Sequence, residues 1–138
     1  MEFEYAKIRT RAGNMYRPAV NVTLSYKGKS FPIQEALVDT GADFVILPLS
    51  IGKALGAEPD LEAVSEISCA CGNAFNSYES RYPIEIAIDH NKYVSKKWLT
   101  HVQLVDADVT VLLGHRGFLD RFNATFFGGK HLMSLKSK

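Results

Sequence analysis

The stretch ALVDTGADFVIL, Ala36 to Leu47, sets two carboxylates inside an apolar run. Ala36, Leu37 and Val38 precede Asp39, and Phe44, Val45, Ile46 and Leu47 follow Asp43. Such a run reads as two buried strands joined by a turn. Asp and Gly are ordinary turn residues, so Asp39-Thr40-Gly41 taken alone is a turn. Its surroundings ask for more. An ionised carboxylate among apolar strands is costly unless its charge is held. Gly41 allows a second backbone to come close, and Thr40 supplies a hydroxyl that both donates and accepts. These are the parts needed to keep a carboxylate reactive in a dry cleft.

Upstream, AVNVTLSYKGKSFPIQEALVD alternates at Val20, Val22, Leu24 and Tyr26, then turns at Lys27-Gly28-Lys29. A second strand from Ser30 to Val38 runs into Asp39, and Pro32 suits an edge or the start of that strand. Downstream, PLSIGKALGAEP predicts a short helix, with Pro48 in its first turn and Gly56 then Pro59 at its stop. A partly buried hairpin follows, turning at Gly72-Asn73. YPIEIAID is a strand with Ile84, Ile86 and Ile88 on one face. HVQLVDADVTVLLG supplies two more short strands around Asp106–Asp108. GFLDRFNATF predicts a helix of one or two turns bearing Phe118, Leu119 and Phe122, and the tail ends in an alternating HLMSLK. About eight strands and two short helices make a mostly-β chain, a small closed barrel or folded sheet.

The totals set the class. A chain of 138 residues predicts one domain spanning 1–138. Its 46% hydrophobic content suits a globular core. A net charge of +1 gives no electrostatic case for nucleic acid or an anionic membrane. No apolar run approaches the ~20 residues of a membrane span, and MEFEYAKIRTR lacks the apolar core of a signal peptide. A soluble, cytoplasmic protein is expected. Cys69 and Cys71, one residue apart on an extended strand, are poorly spaced for an unstrained disulfide. The four histidines are scattered, so two free thiols and no metal or cofactor are expected. Trp98, after Lys96-Lys97, reads as an anchored surface aromatic, and Asp106 and Asp108 as solvated turn residues. Neither Ser50 nor Ser68 has a nucleophile-elbow setting.

LVDTGADFVILP resembles the active-site segment of the retropepsin-like aspartic proteases. VTVLLGHRGFLDRF resembles their second signature, an apolar strand ending in Leu-Leu-Gly before a short helix. Gly114 lies 75 residues after Asp39, and CACGNAFNSY falls between, where that family has its flap. The chain looks like a bacterial, standalone, single-domain member. The resemblance implies catalysis by two carboxylates that share one proton, one acting as base on water while its partner polarises the peptide carbonyl. Only one Asp-Thr-Gly is present, and VDADV at Val105–Val109 lacks the Gly. Asp39 must then meet a second Asp39 across a two-fold axis in a homodimer. The resemblance implies Asp39, Thr40 and Gly41 as the catalytic triplet, with Thr40 gripping the opposite chain. It implies substrate contacts at Ala42, Asp43, Leu113 and Gly114, and at the flap tip, Ala70, Cys71, Gly72 and Asn73. Asp43 matches a position that pairs with a basic residue after the second Gly. His115 stands where many retroviral members have Arg, so His115 and Arg116 both remain candidates. Two functions stay open: an aspartic endopeptidase acting on peptide or protein, and a non-catalytic peptide-binding or dimerisation module of the same fold. A small barrel in which Asp39 is only a turn residue is a more distant third.

Overall fold

The computed structural model describes residues 1–69 and 72–138. Strand β1 (Glu2–Glu4) precedes a hairpin of β2 (Ala6–Thr10) and β3 (Gly13–Arg17), whose backbones pair with each other. A longer hairpin follows, β4 (Ala19–Tyr26) with β5 (Lys29–Val38), turning at Lys27-Gly28 as expected. Alternation on β4 puts Val20, Val22 and Leu24 in the core. The register slips between Val20 and Val22. There Glu35 takes a φ of 54°, and its N–H donates to Asn21 Oδ1 at 2.9 Å. Pro32 costs no ladder bond, because β5 is paired on its second side only at Leu37 and Val38.

β6 (Val45–Pro48) leads into α1 (Leu49–Leu55). The helix stops where expected, the N–H groups of Gly56 and Ala57 returning to the carbonyls of Lys53 and Gly52. β7 (Pro59–Ser68) and β8 (Ala74–Ser80) form the central hairpin. β9 (Ile84–His90) carries Ile84, Ile86 and Ile88 with no exposed surface, each worth ~1.5–3 kcal/mol of burial. β10 (Tyr93–Val94) and β11 (Trp98–Thr100) both pair with β9. β12 (Gln103–Val105) and β13 (Leu112–Leu113) are the two short strands around Asp106–Asp108. They do not form a hairpin: β12 joins β6 and β8, whereas β13 joins β5 and β6.

The main sheet runs β10-β9-β4-β5-β13-β6-β12-β8-β7, with β11 on β9. Among the described residues no pairing joins its two ends, so the closed barrel is corrected to a folded open sheet. One end is a two-residue strand. The other, β7, carries Glu62 and Glu66 exposed, and charged edges oppose further pairing. After Gly114 the chain departs from expectation again. GFLDRFNATF is a series of tight turns followed by strand β14 (Phe122–Phe127) rather than a second helix. The N–H groups of Leu119 and Asp120 reach five residues back, to Gly114 and His115, and those of Arg121 and Phe122 only three. Gly117, at φ +100°, breaks any helical run. A 3₁₀ turn (Gly128–Lys130) then folds β15 (Leu132–Ser137) back on β14, and β1 pairs with β15. The tail therefore returns as a hairpin within its own chain, with Met133 and Leu135 fully buried.

Cys69 is disulfide-bonded, which corrects the expectation of a free thiol there. β7 ends at Ser68, so Cys69 lies off the extended strand on which that expectation rested. Cys71 lies outside the described residues. Among the described residues no helix is long and apolar enough to cross a membrane.

Candidate active site

Strand alternation delivers Asp39. Ala36 and Val38 point into the core, while Leu37 and Asp39 lie on the other side, half-buried. β13 is wedged between the strand that enters the Asp39 turn and the strand that leaves it. It pairs parallel to β5 (Leu113 opposite Val38) and antiparallel to β6 (Leu113 opposite Val45). The N–H of Asp39 donates to the Leu113 carbonyl at 3.2 Å. Within the turn, Ala42 N–H donates to the Asp39 carbonyl at 3.2 Å, and Gly41 N–H donates to Asp39 Oδ1 at 2.8 Å. The carboxylate is thus held by a backbone donor of its own turn, the kind of contact that steadies its charge.

The chain after β13 closes over the same turn. His115 N–H donates to the Ala42 carbonyl at 2.9 Å, and Arg116 N–H to the Asp43 carbonyl at 2.8 Å. Val45 N–H returns to the Arg116 carbonyl at 3.2 Å. The two segments lie so close that a Cβ on Gly114 would stand 2.3 Å from the Phe44 carbonyl oxygen and 2.5 Å from that of Ala42. Only glycine fits there. His115 adds a side-chain contact: its Nε2 lies 2.7 Å from the Thr40 carbonyl. A carbonyl only accepts, so Nε2 carries the hydrogen.

Asp39, Thr40, Gly41, Ala42, Asp43, Leu113 and Gly114 therefore form one backbone knot. Thr40, Gly41 and Asp43 are exposed, whereas Ala42, Leu113 and Gly114 are buried beneath them. The ion pairs among the described residues are Arg81–Glu58 and Lys97–Glu85, so Asp43 pairs with neither His115 nor Arg116 through its side chain. Gly72 and Asn73 sit at the hairpin tip, where Gly72 N–H donates to the Cys69 carbonyl and Cys69 N–H to the Asn73 carbonyl. Ala70 and Cys71 lie outside the described residues. Below the tip, Ile67 and Phe75 pack with Ala42, Ile46 and Val105 in a second apolar cluster, which ties the hairpin to the Asp39 side of the sheet. Among the described residues no group of three His, Cys, Asp or Glu is placed to hold a metal ion.

Two roles were not readable from the sequence. Trp98 is half-buried and packed on the core, an anchored aromatic as expected, but its partners could not be read. Its rings lie 6.0 Å from Phe118 and 5.6 Å from Phe122, and its Nε1–H donates to the Gly117 carbonyl at 2.8 Å. It buttresses the turn after Gly114 from behind. The signal was Phe118 and Phe122, two large aromatics in need of a partner. His115 acts through its ring on the Thr40 carbonyl, a contact that no spacing rule announces.

No family model and no curated protein matches the chain. Among solved structures it resembles a retropepsin-like aspartic protease from Rickettsia conorii. The TM-score is 0.52 and the identity 20%, over 96% of this chain and 97% of that one. At that identity the likeness is one of architecture alone. The chain has a mostly-β, retropepsin-like acid-protease fold.

Proposed function

We propose that the chain is an aspartic endopeptidase that works as a homodimer. The observation that carries this reading is the Asp39 turn. A half-buried carboxylate stands at the end of a core strand, its loop held by a second segment 75 residues away, in a retropepsin-like fold. One such carboxylate is half of the required pair, and the chain has one Asp-Thr-Gly. Two chains related by a two-fold axis would supply both acids to one cleft.

In that cleft the two Asp39 side chains hold one proton between them. The ionised one takes a proton from water, whose oxygen attacks the peptide carbonyl carbon. The protonated one donates to the carbonyl oxygen. The tetrahedral adduct then collapses: one of its hydroxyls returns a proton to the ionised carboxylate, the C–N bond breaks, and the amine leaves with the proton taken earlier from water, so that the pair again holds one proton. No covalent enzyme intermediate forms. Thr40, exposed beside Asp39, would grip the partner chain. Gly41, Ala42 and Asp43 would line the path of the substrate backbone, Leu113 and Gly114 would shape the loop beneath it, and the tip with Gly72 and Asn73 would close above.

The test is digestion of a peptide library by wild type and by Asp39→Asn, with products read by mass spectrometry. General acid–base loss predicts a rate lower by about a thousandfold in the variant. Equal cleavage by both proteins removes the enzyme reading, and binding of peptide without cleavage by wild type replaces it with a recognition module.

A further inference from the structure

The Thr40–Gly41 peptide group is bonded at both of its ends. Its N–H, from Gly41, donates to Asp39 Oδ1 at 2.8 Å. Its C=O, from Thr40, accepts from His115 Nε2 at 2.7 Å. Imidazole and carboxylate are therefore joined through one planar unit, whose rigidity makes the two contacts interdependent. We propose that His115 is a positioning residue that acts on the Asp39 carboxylate through the Thr40–Gly41 peptide group. The proposal rests on Asp39 being the reactive acid, as argued above, and assigns His115 a part in that site.

Several features support it. The other bonds between the two segments run backbone to backbone and end at Asp39, Ala42, Asp43 and Val45. His115 alone among these contacts reaches the apex of the turn, at Thr40. A hydrogen bond received by the carbonyl also polarises the amide, so its N–H becomes a stronger donor to the carboxylate. Rotation of the peptide about its flanking bonds would break both contacts at once. With the ring in place, that rotation has to give up two hydrogen bonds, one of them to a charged group. Thr40 and Gly41, at the apex, are both exposed in the single chain. The neutral Nε2–H tautomer and the imidazolium both donate, so the tether does not depend on the charge of the ring.

The experiment compares His115→Phe with His115→Gln. Phenylalanine keeps a flat ring and loses the donor, whereas glutamine places an amide N–H near the position of Nε2. The other charged side chains of the two turns, Asp43, Arg116 and Asp120, are unchanged in both. His115→Phe should lower kcat by about tenfold with KM changed less than twofold, and His115→Gln should recover most of the loss. A second readout needs no activity: the Gly41 amide, followed by ¹H–¹⁵N NMR, should lose its downfield shift and exchange faster with solvent in His115→Phe but not in His115→Gln. Equal Gly41 signals in wild type and His115→Phe overturn the proposal, as do equal kinetic losses in the two variants. A wild type that cleaves nothing removes the protease reading alone, since the Gly41 measurement still decides the tether.

Discussion

Gly114→Ala is the sharpest test of the way the site is built. A Cβ at this position would lie 2.3 Å from the Phe44 carbonyl oxygen and 2.5 Å from the Ala42 carbonyl oxygen. Both obstacles are backbone, so no side-chain rotation relieves them. Reaching even 3.0 Å requires the Ala42–Phe44 segment to retreat by about 0.7 Å. That retreat stretches the bonds from His115 N–H to Ala42 and from Arg116 N–H to Asp43, now 2.9 and 2.8 Å. Overpacking costs about 1–3 kcal/mol, and weakening two hydrogen bonds adds about 1 kcal/mol each. The total is about 3–5 kcal/mol. For a chain of this length a change of 1 kcal/mol moves Tm by about 3–4 °C, so a fall of about 9–20 °C is expected. Thermal melting by circular dichroism measures it, with Gly129→Ala as control, since a Cβ there meets nothing within 4 Å. Gly114→Ala melting within about 3 °C of wild type would show that the two segments are not pressed together as described.

Other substitutions probe separate parts. Ser77→Ala removes the donor to Gln103 Oε1, a 2.6 Å bond between two buried groups, and should cost about 1–3 kcal/mol in a urea titration. Replacing Gln103 by Leu as well should recover part of that loss, because no buried acceptor is then left unpaired. Trp98→Phe keeps the aromatic contact and loses the bond to Gly117, for about 1 kcal/mol, whereas Trp98→Ala should cost about 3–5 kcal/mol. Under the homodimer proposed here, Thr40→Ala should raise the dimer dissociation constant by tenfold or more in sedimentation equilibrium, and an unchanged value would deny Thr40 its place at the interface.

The parts of the fold legible in the sequence were those in which apolar side chains record the strand period. Val20, Val22 and Leu24, then Ile84, Ile86 and Ile88, announce their burial directly. The β2–β3 hairpin left no such mark. Gly13–Arg17 is exposed throughout, and on its partner strand only Ala6 and Ile8 alternate, each half-buried, too short a pattern to read as a core strand. Phe118, Leu119 and Phe122 misled in the opposite sense. Their spacing fits a helix face, yet Phe118 and Phe122 meet Trp98 from a turn and a strand. Periodicity reports which residues are buried, and not which backbone buries them.

The candidate site divides along the same line. Asp39-Thr40-Gly41 was legible because a carboxylate between apolar strands is an anomaly at any reading, and Gly114 because an apolar strand ended on it. What the sequence withheld was the joining: Trp98 behind Gly117, and His115 across to Thr40. Each such contact depends on where two distant segments come to rest. The described bonds of the Asp39 turn, to Leu113, His115 and Arg116, lie within one chain. Under the homodimer proposed here, each half-site would therefore be shaped before its partner arrives. Dimerisation would have to supply the second carboxylate and a wall of the cleft, but not the geometry of the loop. Association of that kind would order little new backbone, since the conformational cost that usually opposes assembly of a shared site would already be met in folding.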